Sequence, residues 1–373
     1  MDLKETRKNI DKIDSELLKL VSKRMELALR AKKLRNGAEG NGNVENVGNG
    51  TVSTTSDEER ENEIISNARK QSIGLVAPEF SEKLFRELID EAKRVQGKNL
   101  KLIGFQGEHG AFGEIAVNET GNGAVPIPCL EFADVFEAVE NGQLDSGIVP
   151  IENSLEGSVN AVNDLLIETD LQIVGEMNIP IHHCLLALPE TDYREVKVVY
   201  SHPQALGQCR NFLLRNKFEA RPYYDTAGAA AMLANERPKA AAVIANKLCA
   251  EIYGLEVLKE NVEDHQSNST RFVVLARKEG NNATVTNGNK CSIAFTTPHR
   301  AGALFAVLKV FSDAGINLTR IESRPIRGEH GKFAFLMDLQ GSIADAKVAN
   351  ALREAKEKTE MFRMLGCYKE AKI

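Results

Sequence analysis

The chain has 373 residues, 42% hydrophobic and 27% charged, with a formal net charge of -6; it is too long for one ordinary domain, so two or three are expected, and the acidic balance offers no footprint for nucleic acid or an anionic membrane surface. Cys129, Cys184, Cys209, Cys249, Cys291 and Cys367 are scattered without a CxxC pair, which argues against a zinc or disulfide framework and for a reducing compartment. No apolar run approaches membrane-span length and Met1-Asp2-Leu3-Lys4-Glu5 does not read as a signal peptide, so a cytoplasmic location is expected.

Residues 3–35 carry helical periodicity, with Ile10, Ile13, Leu17, Leu20, Val21, Leu27 and Ala28 on one face. Arg24 falls on the same face, where a cation either snorkels out or meets an anion. Residues 36–56 are rich in Asn, Gly, Ser and Thr and predict a flexible loop. A second helix is expected from Asp57, and a third from Pro78 to Gln96, stopped by Gly97. The first domain is therefore all-helical.

From Lys101 short apolar strands alternate with helices, the α/β pattern. Leu102-Ile103-Gly104-Phe105 reads as a strand, and the glycines after it lack the GxGxxG spacing of a dinucleotide site. Polar turns end several strands: Ile151-Glu152-Asn153-Ser154, Ser201-His202-Pro203-Gln204, Tyr224-Asp225-Thr226-Ala227-Gly228 and Asn268-Ser269-Thr270-Arg271-Phe272. Buried hydroxyl, amide and guanidinium groups need partners, and α/β folds place anionic ligands at such strand ends. Strand-end capping would serve equally for any one of these turns. Together they predict a cleft between two α/β lobes, as in solute-binding proteins. His182, His183 and His202 lack metal-ligand spacing and read as structural or minor contacts. After a second polar linker, Cys291 to Phe295, Gly302 to Ala314, Asn317 to Glu322, Phe333 to Asp338, a helix from Ile343 and Phe362 to Tyr368 give the ferredoxin-like order.

The first 97 residues resemble the all-helical chorismate mutases through Arg7, Arg24, Arg35, Asp57-x-x-Arg60-Glu61 and Gln96. The resemblance implies that Arg7, Arg24 and Arg35 hold the two carboxylates and ether oxygen of chorismate, with Asp57, Arg60, Glu61 and Gln96 completing the pocket and Arg24, Arg35 and Gln96 named as catalytic. Arg35 stands where the family usually has Lys and Ala92 where a Ser is common; the long loop is a further departure. On one helix Arg7 and Arg24 lie about 25 Å apart, so if both serve one chorismate the first domain is a homodimer. Residues 100–278 resemble prephenate dehydratase through Gly-x-x-Gly-Ala-Phe after the first strand and the four polar turns, five motifs in order. That resemblance implies a catalytic Thr270 and cleft-wall residues Asn153, Ser154, Ser201, Gln204, Asp225, Thr226, Arg271 and Phe272, with Arg271 or backbone N–H groups on the pyruvyl carboxylate. Gly302-Ala303-Leu304 and Glu322-Ser323-Arg324-Pro325 resemble the phenylalanine site of ACT regulatory domains; ordinary capping and edge protection by Pro325 would also explain them.

The expectation is thus a multidomain chain. It comprises a three-helix chorismate mutase domain (1–97), a two-lobed, periplasmic-binding-protein-like dehydratase domain (100–278) and an α+β ferredoxin-like ACT domain (290–373). Chorismate and prephenate would be its substrates and phenylalanine its effector, in a homodimer or higher oligomer; the resemblance implies neither cofactor nor metal. Two alternatives stay open: a dehydratase, for prephenate or arogenate, with a degenerate mutase domain, and a ligand sensor that turns nothing over.

Overall fold

A computed structural model describes residues 2–40, 57–278, 288–326, 328–329 and 331–371, and they divide into two compact units, residues 1–102 and 103–373. The first contains α1 (Leu3–Gly40), α2 (Asp57–Gln71) and α3 (Pro78–Gln96). Pro78 starts α3, where its missing N–H costs nothing, and Gly97 caps it. α1 runs five residues past its expected end at 35, because glycine weakens a helix by about 1 kcal/mol without forbidding it. The rest of the predicted loop, 41–56, lies outside the described residues. Leu29, Ile65, Ala68, Ile89 and Ala92 make a small core. By contrast Leu3, Ile10, Ile13, Leu17, Leu18 and Leu20 are each more than half exposed.

In the second unit β1 (Lys101–Gln106), α4 (Phe112–Asn118), β2 (Ala124–Cys129), α5 (Phe132–Glu140), β3 (Ser146–Asn153), the short β4 (Gly157–Ser158), α6 (Asn160–Glu168) and β5 (Gln172–Pro180) build one lobe. The other lobe comprises β6 (Cys184–Ala187), β7 (Val198–Ser201), α7 (Pro203–Gln208), α8 (Arg210–Asn216), β8 (Glu219–Pro222), α9 (Thr226–Glu236), β9 (Ala241–Ala245), α10 (Lys247–Tyr253) and β10 (Glu256–Lys259). The chain then returns to the first lobe as β11 (Ser269–Ala276). The sheet orders are β2-β1-β3-β11-β5, with β4 beside β3, and β10-β6-β9-β7-β8. β11 is antiparallel to both neighbours, and Thr270 pairs with Asn153 on one side and Ile179 on the other. The register slips just after Arg271, where Phe272 lies opposite Pro150. A proline has no N–H to give the ladder, and a bulge accommodates it.

The last part is β12 (Lys290–Thr296), α11 (Ala303–Asp313), β13 (Leu318–Pro325), β14 (Phe333–Gln340), α12 (Ala346–Glu357) and β15 (Met361–Tyr368), with sheet order β13-β14-β12-β15. This is the expected ferredoxin-like arrangement. Val307, Val310 and Phe311 of α11 and Val348, Ala351 and Ala355 of α12 pack with Ile293, Phe295, Met337 and Leu339 of the sheet. The strand β15 also meets β5 of the first lobe so closely that a Cβ on Gly366 would lie 2.0 Å from the Ile173 carbonyl oxygen. Backbone cannot yield as a flexible side chain would. Gly366→Ala is expected to destabilise the unit by about 1–3 kcal/mol, measured as a lowered denaturant midpoint; an unchanged midpoint would show that the two parts separate freely.

Candidate active site

The cleft between the lobes has a volume of about 780 Å³ and is lined by Asn153, Gln204, Asp225, Thr226, Thr270 and Phe272 among the expected residues. Its floor is built where β3 ends beside β11. Asn153 Nδ2 donates to Thr270 Oγ1 at 2.9 Å and to Asn268 Oδ1 at 2.9 Å, while Asn153 Oδ1 accepts the backbone N–H of Leu155 and Glu156 at 3.0 Å each. The amide is thus held at both ends. Since Thr270 Oγ1 already accepts from Asn153, its own O–H is left to donate to a ligand in the cleft.

On the second lobe, Asp225 caps α9, accepting from the Gly228 N–H at 3.4 Å. Burial pushes its carboxyl above the usual carboxylate range, opposed by N–H groups of Gly228, Ala227 and Thr226. Tyr224 O–H reaches across to Glu108 Oε1 of the first lobe at 3.2 Å. Gly107 has φ +114°, a turn conformation that favours glycine, and a Cβ there would also lie 3.2 Å from that of Ala111.

Three expected wall residues do not line the cleft. Ser201 is fully buried with its Oγ donating to the Ile244 carbonyl at 2.6 Å, and Ser154 Oγ serves Asn268 and the Ser269 N–H. Arg271 requires a correction of chemistry as well as place. Successive residues of a strand point to opposite faces, so with Thr270 and Phe272 in the cleft, Arg271 leaves from the back of β11. There its Nε binds Glu176 Oε2 at 2.7 Å, and Nη2 lies 2.7 Å from Asp338 Oδ2 and 3.1 Å from the Tyr368 hydroxyl. Burial disfavours its charge, but the carboxylates of Asp338 and Glu176 outweigh that and raise its pKa. Arg271 therefore does not hold a ligand carboxylate in this cleft. Among the described residues lining it there is no Arg or Lys.

The side chains of Gln208 and His183 also line the cleft, hydrogen-bonded to each other at 2.9 Å. Burial pushes the His183 imidazole below its usual pKa, opposed by Gln208 and Glu263. His183 was expected as a structural or minor contact, while nothing in the local sequence singles out Gln208.

In the helical unit, Arg24 Nη1 donates to the Leu88 carbonyl at 2.8 Å and Gln96 Nε2 to the Ala28 carbonyl at 2.6 Å, tying α1 to α3. Burial lowers the pKa of Arg24. Glu61 pairs with Lys93 at 2.7 Å and Arg60 with Glu63. Arg7 and Arg35 are exposed on α1, and Asp57 is the first residue of α2. Arg24 and Gln96 therefore share the α1–α3 contact, whereas Arg7 lies more than four turns of helix from Arg24.

On β13 the burial pattern alternates, with Ser323 and Pro325 exposed and Glu322 and Arg324 turned inward. Ser158 Oγ donates to Glu322 Oε2 at 2.6 Å, and Arg324 Nε donates to Asp164 Oδ1 at 2.6 Å. Gly302 precedes α11 at φ +80° with Ala303 buried and Leu304 packed on the domain core.

A cleft between two α/β lobes with an oriented hydroxyl on its floor, bonded through its rear strand to a ferredoxin-like domain, defines a small-molecule site joined to a second, smaller domain. The prephenate dehydratase family model matches residues 103–280, the chorismate mutase type II model residues 6–97 and the ACT domain model residues 292–357. The bifunctional chorismate mutase/prephenate dehydratase of Aquifex aeolicus (strain VF5) is 36% identical over 99% of this chain and 98% of its own length. Among solved structures, prephenate dehydratase from Arthrobacter aurescens in complex with L-Phe is 32% identical with a TM-score of 0.66, over 72% of this chain and 90% of that one. GqqA, described as a novel type of quorum quenching acylase, is 34% identical with a TM-score of 0.68, over 72% of this chain and 97% of its own. The chain belongs to the bifunctional chorismate mutase/prephenate dehydratase family.

Asn153→Asp would set a carboxylate against two acceptors, Asn268 Oδ1 and the Ser269 carbonyl, and draw the Thr270 O–H away from the cleft. Its expected cost is about 1–3 kcal/mol near neutral pH, read from denaturant unfolding; equal stability of the variant would contradict the donor role of this amide.

Proposed function

We propose that the helical unit rearranges chorismate to prephenate and that the two-lobed cleft converts prephenate to phenylpyruvate under feedback by phenylalanine. The carrying observation is the Asn153–Thr270 pair, which leaves a hydroxyl donor on the floor of the cleft. In the dehydration, the bond from the ring to its carboxylate breaks, its electrons enter the ring, and the 4-hydroxyl leaves with the pair of its C–O bond. That oxygen must be hydrogen-bonded and then protonated as it departs. Thr270 O–H donates to it, and water supplies the proton. The described lining carries no Arg or Lys, so the ring carboxylate enters a site where desolvation favours its loss; backbone N–H groups hold the pyruvyl carboxylate.

The mutase step is unimolecular and needs only a compact substrate and donors toward the charge growing on the ether oxygen. Arg24, Arg35 and Gln96 supply these, with Asp57, Arg60 and Glu61 around the substrate and Arg7 arriving from a second copy. The exposed apolar residues Ile10, Ile13 and Leu17 of α1 support that pairing, since an apolar stripe on a long helix gains by burial against another. A cytoplasmic location accords with six buried cysteines that are all free thiols. Among the described residues no helix is long and apolar enough to cross a membrane.

Thr270→Ala is expected to abolish phenylpyruvate formation while chorismate consumption continues; parallel loss of both would contradict separate sites. Arg7→Ala and Arg24→Ala should each lose mutase turnover. Mixing the two variants should restore about a quarter of it, because half the dimers would be mixed and each would hold one intact site. No restoration on mixing would place the whole mutase site within one chain.

A further inference from the structure

The buried cluster behind β11 belongs to neither substrate site, yet it begins one residue from Thr270. Arg271 binds Glu176 of β5, and across the domain boundary it meets Asp338 of β14 and Tyr368 of β15. Ser292 of β12 ties the last two together, donating to Asp338 Oδ1 at 2.6 Å and lying 2.7 Å from the Tyr368 hydroxyl. Lys290 balances Glu176 at 3.1 Å, and the N–H of Ala371 donates to the same carboxylate oxygen at 3.0 Å. The Glu176 and Asp338 side chains are 1% and 2% exposed, so water cannot replace a lost partner.

We propose that Arg271 is a positioning residue for the dehydratase step, and that Asp338 and Tyr368 of the ferredoxin-like domain complete its hold on the strand end that presents Thr270 to the cleft. The inference rests on the reading of Thr270 given above. The ladder to β3 slips between Arg271 and Phe272, so on this stretch β11 keeps a regular register only with β5. The planar guanidinium adds a second hold from behind, Nε on Glu176 of β5 and Nη2 on Asp338 and Tyr368 of the sheet behind, a geometry an ammonium could not reproduce. Displacing a reacting group by 1 Å costs about a hundredfold in rate, so a loosened Arg271 acts on turnover. Because Asp338 and Tyr368 lie in the other domain, its seating against β5 and β11 enters the geometry of the reaction.

The test uses the full chain with Arg271→Lys, Asp338→Asn and Tyr368→Phe, assayed on prephenate, with chorismate turnover as internal control and Thr270→Ala as reference. Arg271→Lys and Asp338→Asn should lower kcat about tenfold or more with KM within about twofold of the parent, and Tyr368→Phe less steeply in the same direction. Chorismate turnover should hold. A raised KM at unchanged kcat in Arg271→Lys would overturn the proposal and return this residue to substrate binding, as would parental kcat in folded Asp338→Asn. If Asp338→Asn fails to fold, Tyr368→Phe decides: parental kcat overturns the proposal, and a lowered kcat at constant KM supports it. Undiminished prephenate turnover in Thr270→Ala would instead overturn the reading on which it rests.

Discussion

The alternation of a single strand governs the second unit. On β11 the side chains of Thr270 and Phe272 face the cleft, so Arg271 must face the opposite way, and it is too costly a group to bury without partners. The structure supplies them from two domains: Glu176 from the strand alongside, Asp338 and Tyr368 from the sheet behind. Removing one member of such a buried pair costs about 3–5 kcal/mol, because the other charge stays behind. The same requirement explains the close seating of β15 on β5, which allows no side chain at position 366.

A second connection between the domains runs along β13. Glu322 takes the Ser158 hydroxyl and Arg324 takes Asp164, while the β3–β4 hairpin pairs Asn153 with Gly157 and Glu152 with Ser158. The segment resembling an effector site is therefore bonded to the loop that begins at Asn153, whose amide holds Thr270. Any ligand that binds one arrangement of β13 better than another shifts that arrangement's population, and is shifted by it in return.

Much of this was legible in the sequence because the relevant signals are local. Pro78 and Gly97 bound a helix, apolar runs with polar ends mark the strands of the cleft, and the βαββαβ order at the end predicts its sheet. The error at Arg271 came from reading a polar turn as a set of equivalent wall residues; period-2 alternation from Thr270 would have sent it to the other face. Its partner Asp338 is far away in the chain and in another domain, which no spacing rule reveals. Gln208 reaches the cleft for the same reason, since only the tertiary fold brings α7 beside the start of β6, where it meets His183. The expected helix end at 35 failed because composition overstated what a few glycines and asparagines can break. Ser201, expected on the cleft wall, is buried at its strand end, where its hydroxyl serves the Ile244 carbonyl.

One chain carries the domains for two successive reactions and a further one to restrain them. The most direct measurement is a time course on the unaltered protein, following chorismate, prephenate and phenylpyruvate separately, with and without phenylalanine. The expected result is chorismate consumed, prephenate passing through and phenylpyruvate accumulating, with the last step slowed by phenylalanine. Chorismate persisting while added prephenate is converted would contradict the assignment of the helical unit. Prephenate accumulating unconverted would contradict that of the cleft.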